Sequence, residues 1–570
     1  MDSRSPFQTL PMLIVYKVVE YLEGYPRKLH GSPTDNYRKK GDMLAPLLLV
    51  SERWCTAALT SICSVCTLSF SRSREAIEVR FPGWPSSVPH SQFRKTHLVK
   101  RVIASANVWQ DLCDGKFCEV ITLPQYETLS FPSARFFELR LSKAAKKEDV
   151  VLFNSRALLT STSEIGKEQV ASVSRCLLRL VPAVVDVNMM VCSIGDTEPN
   201  FEQLYEWLAT ELCQGHVNRL QVWAWRNNGV LSLNLSEISG LTSIIQGTST
   251  TSGAFTRLAY LNASTLKTLG VSLAEVDWLA LIYGGTNVPA VYADLASLTL
   301  KLDETPHATT WAATDDVEPF PALKKLDISG GYPFDDDLLF RGNGNTLRNL
   351  CLPFSAIAKN VLGRFDVLKR SGVTRMSSVH IGKIFEADQE SVDANTGLSI
   401  ERQVHRILEV TLSLVIRDDT TDCHLLHSLL SAPNTAILQH LEFGGLIFNV
   451  TDIFQVVAAL LSLSSFKSYI RGYAPEIVLI PASERPNTLY TKFHPLSHSF
   501  RTLIALYNEG DSAKDLAHVA MLLAVVCPSL RTVEVSPVLR EDFGREIAWC
   551  MINATYKPYA DRLKTLIYLE

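Results

Sequence analysis

The chain has 570 residues, 46% of them hydrophobic and 20% charged, with 55 basic against 59 acidic side chains and a net charge of −4. That apolar content excludes a disordered chain, and the near-balance of charge excludes the broad cationic footprint of a nucleic-acid binder or a polybasic membrane-surface protein. The length admits three or four separate domains or one long repeat array.

The first element in chain order is helical. Pro11 stands at a favoured first helical position, and Ile14, Val18 and Leu22 recur every fourth residue with Val15 and Val19 beside them, giving one wide apolar face. Lys17 and Glu20 interrupt this run and no small-residue cleavage site follows, so no signal peptide is expected. The 12 cysteines are then expected to be reduced thiols of the cytoplasm and/or nucleus, and the sequons at Asn234, Asn262, Asn449 and Asn553 to be chance matches. Cys63 and Cys66 read as small core residues at the end of a helix, because a zinc site needs four ligands. Residues 24–42 carry Gly, Pro, Asn and basic side chains without periodicity and read as a loop insertion. Its Arg27-Lys28 and Arg38-Lys39-Lys40 read as solvated charge, with an import signal as the alternative. A second helix is expected from Pro46, with Leu47, Val50, Trp54, Ala57 and Ala58 on one face.

Leu10, Pro11, Ile14, Val18 and Leu22, followed by Leu48, Val50, Ser51, Arg53 and Trp54, resemble an F-box, a short three-helix module. Two features depart from that family: Met12-Leu13 replace the acidic residue often found after the Leu-Pro, and the gap from Leu22 to Val50 is longer than usual. The resemblance implies that residues 1–66 dock on a Skp-like linker protein of a cullin-type ubiquitin ligase through Leu10, Pro11, Ile14, Val18, Leu22, Val50 and Trp54. A helical cap sealing one end of a repeat array is the other reading of these residues.

Across residues 67–570 a strand-like phrase recurs: LKKLDISG from Leu323, LRNLCLPF from Leu347, LQHLEFGG from Leu438, LRTVEVSP from Leu530 and LKTLIYLE from Leu563. Weaker copies start at Val217, Leu241, Leu266, Leu295, Met376, Val410, Phe466 and Phe500, and earlier ones are read near Leu98, Leu129 and Leu139. Helical patterns lie between them, from Phe201, Thr451 and Ser512. Strand and helix alternating at a period of about 29 residues resemble an irregular leucine-rich-repeat solenoid. The expected fold class is therefore α/β, a horseshoe-like solenoid behind a small α-helical head. The Asn that ladders such repeats after the strand is missing, with Ser, Pro or Gly in its place.

Motifs that carry chemistry are lacking: there is no phosphate loop, nucleophile elbow or zinc-protease helix, so neither an enzyme, a metal nor a cofactor is expected. His424 and His427 need further ligands to hold a metal. Asp335-Asp336-Asp337 and the Asp418–Asp422 stretch read as helix N-termini. Recognition is the better prospect. Strand residues alternate between core and open face, so in RLQVWAW the core takes Leu220, Val222 and Ala224 and the open side takes Gln221, Trp223 and Trp225. Asp327, Glu442 and Glu534 are the matching positions further on, making that face mildly acidic. The expected function is substrate reception for the ligase, the head on the linker and the solenoid on an unknown protein target, with no nucleic acid and no membrane involved. The alternative is a protein-binding scaffold without a ubiquitin role.

Overall fold

The repeated phrase becomes strand after strand, because each copy sets apolar residues at every second position and ends in a turn. A computed structural model of the chain describes residues 10–24, 42–71, 76–82, 84, 96–106, 123–126, 129–142, 167–193, 201–213, 216–226, 235, 238–246, 253–273, 277–284, 288–302, 318–329, 338–340, 342–343, 346–352, 376–382, 401, 404–416, 429–431, 435–470, 499–506, 512–536 and 538–552. The chain divides into two compact units, Met1–Ala290 and Val291–Glu570, a boundary the sequence reading does not mark. Among the described residues no helix is long and apolar enough to cross a membrane.

The first unit opens with helix α1 (Met12–Gly24), a short 3-10 segment (Ala45–Leu49) and α2 (Glu52–Ile62), and both earlier elements pack on α2. Strands β1 (Val65–Ser71) and β2 (Ala76–Arg80) form an antiparallel hairpin. Then follow β3 (Arg101–Ala106), β4 (Phe136–Ser142), α3 (Lys167–Leu180), β5 (Asp186–Ser193), α4 (Phe201–Leu212), β6 (Arg219–Arg226), β7 (Ser243–Gln246), α5 (Gly253–Leu261), β8 (Thr268–Leu273) and α6 (Asp277–Tyr283). From β1 through β3 to β8 each strand is parallel to the next. At the hairpin, the Tyr126 phenol accepts from the Ile77 amide at 3.0 Å and donates to the Ile77 carbonyl at 3.5 Å, occupying both backbone groups of that β2 residue.

The second unit runs β9 (Ser297–Leu302), β10 (Lys325–Ser329), β11 (Asn349–Leu352), β12 (Ser378–Ile381), β13 (Ser413–Ile416), β14 (His440–Phe448), α7 (Val450–Ala459), β15 (Ser465–Ile470), β16 (Thr502–Leu506), α8 (Ala513–Val526), β17 (Thr532–Val535) and α9 (Arg540–Ile552). Its strands also pair in chain order and in parallel. Both units are thus mixed α/β and solenoid-like. Asn449 caps α7 by accepting from the Asp452 amide while the Asp452 carboxylate accepts from the Asn449 amide, and Ser512 caps α8 in the same manner with one bond.

One apolar row crosses each unit. In the first, Cys66, Val102, Phe137, Val187, Leu220, Ile244 and Leu269 are register partners and all buried. In the second the row is Leu298, Leu326, Leu350, Val379, Leu414, Leu441, Phe466, Leu503 and Val533. A repeat alone cannot bury such a side chain on both flanks, whereas stacked repeats can, at about 1.5–3 kcal/mol per residue. A bulge in β14 between Glu442 and Ile447 keeps Phe443 and Phe448 against Phe466, with ring centroids 4.8 to 6.2 Å apart.

Polar ties set the spacing of the repeats. In the first unit the carbonyls of Ser64, Lys100, Arg135, Val185, Asn218 and Thr242 each accept from two successive amides at the start of the next repeat, at 2.6 to 3.3 Å. Ala296, Lys324, Arg348, Leu412, Gln439, Ser464 and Arg501 do the same in the second. A hydroxyl ladder runs beside this one. Thr265 donates to the Leu241 carbonyl, Thr346 to Leu323, Ser499 to Leu463 and Ser529 to Phe500, which lie 24, 23, 36 and 29 residues earlier. Each such residue stands just before the buried Leu or Phe that precedes its strand. The ladder absent after the strand is replaced by one of Ser and Thr before it. Asn262 adds a buried brace: its amide donates to the Ile238 and Leu258 carbonyls and its oxygen accepts from the Leu241 amide, all near 3.0 Å.

Several sequence expectations shift. The copy placed at Val410 begins at Thr411, which is buried and bridges to Met376; a threonine in an apolar slot hides it from a leucine pattern. The copy placed at Phe466 begins at Leu463, the position equivalent to Leu438 through the register of Ser465 with His440. Residues 129–131 of the phrase near Leu129 form no strand; Phe131 is buried and its amide binds the Leu180 carbonyl. The hairpin β1–β2 and strand β5 went unread. Cys63 and Cys66 are fully buried, Cys63 at the end of α2 and Cys66 on β1. The phrase from Leu563, the loop 25–41, Cys113, Cys118, His424, His427, Asp335–Asp337 and Asp418–Asp422 lie outside the described residues.

Asn262→Leu takes from the Leu241 amide and the Ile238 carbonyl their buried side-chain partner, while the Leu258 carbonyl keeps the Asn262 backbone amide, and is expected to cost about 2–4 kcal/mol in urea unfolding. Thr435→Val, which removes an exposed bond to Glu409, should stay within about 0.5 kcal/mol. Equal effects of the two would refute the brace.

Candidate functional site

The head divides its apolar residues between inside and outside. On α1, Val15 and Val19 are buried, while Leu13, Ile14 and Val18 are 69%, 44% and 37% exposed. The following segment exposes Met43, Leu49 and Val50, with Leu49 at 90%. Arg53 ties the start of α1 to α2 by donating from Nη1 to the Leu10 carbonyl at 3.0 Å. Of the expected docking residues, Ile14, Val18 and Val50 are therefore on the surface, Pro11 is exposed and Leu10 half-buried. Trp54 is buried at 4% and belongs to the interior of the head rather than to its surface. Leu22 lies on α1, its side chain outside the described residues. Sequence reasoning missed Leu13, Met43 and Leu49, because they break the four-residue spacing that marks a helix face.

The strand alternation holds in RLQVWAW: Leu220 and Val222 are buried at 1% and 2%, and Gln221 is half-buried on the opposite side. The side chains of Trp223, Ala224 and Trp225 are outside the described residues. Next to Gln221 in register are Asn188 and, beyond it, Glu138, both buried. Glu138 accepts from Arg101, whose guanidinium also lies 4.0 Å from the centre of the Phe136 ring. Asp186 stands 3.6 Å from Arg219; burial pushes its carboxyl above the ordinary range, against the opposing pull of Arg219 and Arg101.

In the second unit, Asp327, Glu442 and Glu534 are all half-buried on the side opposite the apolar row. Lys325 lies 3.6 Å from Asp327 and Lys467 2.8 Å from Glu442. The acidity expected of this face is thus neutralised at two of its three carboxylates. The row beside them is polar: Ser297, Lys325, Asn349, Ser378, Ser413, His440, Ser465, Thr502 and Thr532 begin the nine strands.

One polar cluster had no motif to announce it. Ser431 donates to the Glu401 carboxylate at 2.7 Å, and His405 Nε2 lies 3.2 Å from the same hydroxyl and 3.9 Å from the same carboxylate. Since the serine proton is spent on Glu401, the 3.2 Å contact requires Nε2 to carry the hydrogen. A serine nucleophile needs the reverse, with Nε2 accepting and the carboxylate on the far ring nitrogen. Glu409 accepts from Thr435 in the same way at 2.6 Å, so the two carboxylates clasp neighbouring repeats. Among the described residues no group of His, Cys, Asp and Glu is arranged to hold a metal ion.

Trp54→Ala should destabilise the chain by about 3–5 kcal/mol, whereas Ile14→Ser and Val50→Ser should change thermal stability by under about 0.5 kcal/mol. A raised carboxyl is one whose ionised form the fold disfavours, so its contribution to stability is lost as pH rises. Asp186→Asn should therefore unfold at or above the wild-type urea midpoint at pH 7, the gap closing below about pH 4. A lower midpoint at pH 7 would mean that the bond to Arg219 outweighs burial. No protein-family model matches the chain, and no curated protein matches it.

Proposed function

We propose that this chain is a substrate-receiving adaptor of a Skp–cullin–F-box type ubiquitin ligase, built from an F-box-like head and leucine-rich-repeat-like units. The observation that carries the reading is the surface of the head: Leu13, Ile14, Val18, Met43, Leu49 and Val50 stay exposed on a module that buries Trp54, Val15 and Val19. Large apolar side chains left in water by a small, otherwise well-packed module favour a partner. The residues that resemble the F-box motif supply the choice of partner, a Skp-like linker protein.

In this reading the polar outward faces of the strands hold the protein target. The chain itself makes and breaks no bonds; it raises the local concentration of target beside the ligase. The Ser and Thr side chains at Ser378, Ser413, Ser465, Thr502 and Thr532 offer short hydrogen-bonding groups to a partner, and the paired carboxylates favour hydrogen bonding over long-range attraction.

The test is direct binding of the purified full-length chain to a recombinant Skp-like linker protein. Retention of the wild type, with affinity falling about tenfold or more for Ile14→Asp or Val50→Asp and unchanged for Asp327→Asn, is the expected result. No retention of a folded wild type would leave a protein-binding scaffold without a ubiquitin role.

A further inference from the structure

Seven cysteines have described side chains, and none of these is in a disulfide. Cys63, Cys66, Cys213 and Cys527 are buried; burial pushes Cys213 and Cys527 up to about 12 and pushes Cys66 higher still. The raised thiols of Cys66, Cys213 and Cys527 keep their protons and are inert packing groups. Cys55, Cys176 and Cys351 are half-buried. The first two sit on α2 and α3, and Cys351 sits on β11.

The position of Cys351 differs from the others in its neighbours. Its register partner on β12 is His380, and on β10 it is Asp327. Register partners in parallel strands point to the same face, and adjacent strands lie about 4.8 Å apart, which brings the thiol and the imidazole within reach of each other. Both are half-buried and so open to small molecules. Among the described residues, their register neighbours on this face are Asp327, with its Lys325 ammonium at 3.6 Å, and Val415 beyond His380. One step back along the strands stand Asn349 and Ser378, joined by a 3.0 Å hydrogen bond, and Ser413. Among the described residues the Lys325 ammonium offsets the Asp327 carboxylate beside the pair.

We propose that Cys351 and His380 form a reactive thiol–imidazole pair, a site of covalent modification by exchange with low-molecular-weight disulfides. The imidazolium stabilises the thiolate, which attacks one sulfur of the disulfide. The bond from Cys351 Sγ to that sulfur forms as the original S–S bond breaks. The other sulfur leaves with the electron pair and takes the proton, giving a mixed disulfide, one free small thiol and a neutral imidazole. This site stands independently of the adaptor reading, since neither the head nor a target takes part.

The test is alkylation of the full-length chain by iodoacetamide at about pH 6.5, followed residue by residue by mass spectrometry. Cys351 should react about tenfold faster than Cys55 or Cys176, and His380→Asn or His380→Phe should bring it to within about twofold of them. Among the seven cysteines with described side chains, glutathione disulfide should add its tripeptide at Cys351. The core thiols Cys63, Cys213 and Cys527 report folding in the same experiment, and a variant in which they stay protected decides the matter. A Cys351 rate equal to that of Cys55 and Cys176, or one untouched by His380 replacement in a protected variant, overturns the pair. Alkylation without glutathione addition overturns the exchange step.

Discussion

One carbonyl per repeat, shared between two amides of the next, is the contact on which the rest depends. It sits where each strand begins, so it fixes the height of a repeat above its predecessor before any side chain is considered. Once Ser64, Lys100, Arg135 and their successors hold the strand starts in line, the parity of every following residue is set. Leu220 must fall on the buried side because Arg219 is pinned. The same anchoring leaves the chain between anchors free in length, which is why hydroxyl ties spanning 23 and 36 residues coexist in one unit. Irregular repeats are tolerated because the interaction that orders them involves only backbone and the neighbouring repeat.

The alternation of core and surface was legible in the sequence wherever leucine or another large aliphatic residue filled the slot. The phrases from Leu323, Leu347, Leu438 and Leu530 begin strands with the expected parity. Legibility failed where the slot held something else: Thr411 shifted one copy by a residue, and an aromatic at Phe466 drew attention away from Leu463. The hairpin escaped because two strands joined in antiparallel fashion do not carry the period of the array. The hydroxyl ladder was present in the letters, as Ser or Thr ahead of an apolar and a basic residue, but a polar residue at a strand start reads as a turn until its acceptor one repeat away is known.

The candidate surfaces are only partly encoded in residue spacing, for a related reason. A helical spacing rule finds the faces of helices, and so it found Ile14 and Val18. It could not find Leu49 or Met43, which lie outside regular helix faces, and it assigned Trp54 to a surface that the fold gives to the interior. Strand alternation sets Asp327, Glu442 and Glu534 opposite the apolar row, but it says nothing of their partners. Lys325 and Lys467 neutralise Asp327 and Glu442 through contacts along or across strands that a linear pattern does not encode.

The Tyr126 phenol at β2 has a consequence for how the molecule meets copies of itself. An outermost strand normally offers its amides and carbonyls to any extended chain that arrives. Here both the donor and the acceptor of Ile77 are already answered by a single hydroxyl borrowed from a distant turn. At that residue an incoming backbone would have to displace the phenol before it could add a rung. Among the described residues β2 pairs on one edge alone, and at Ile77 a side chain occupies the other.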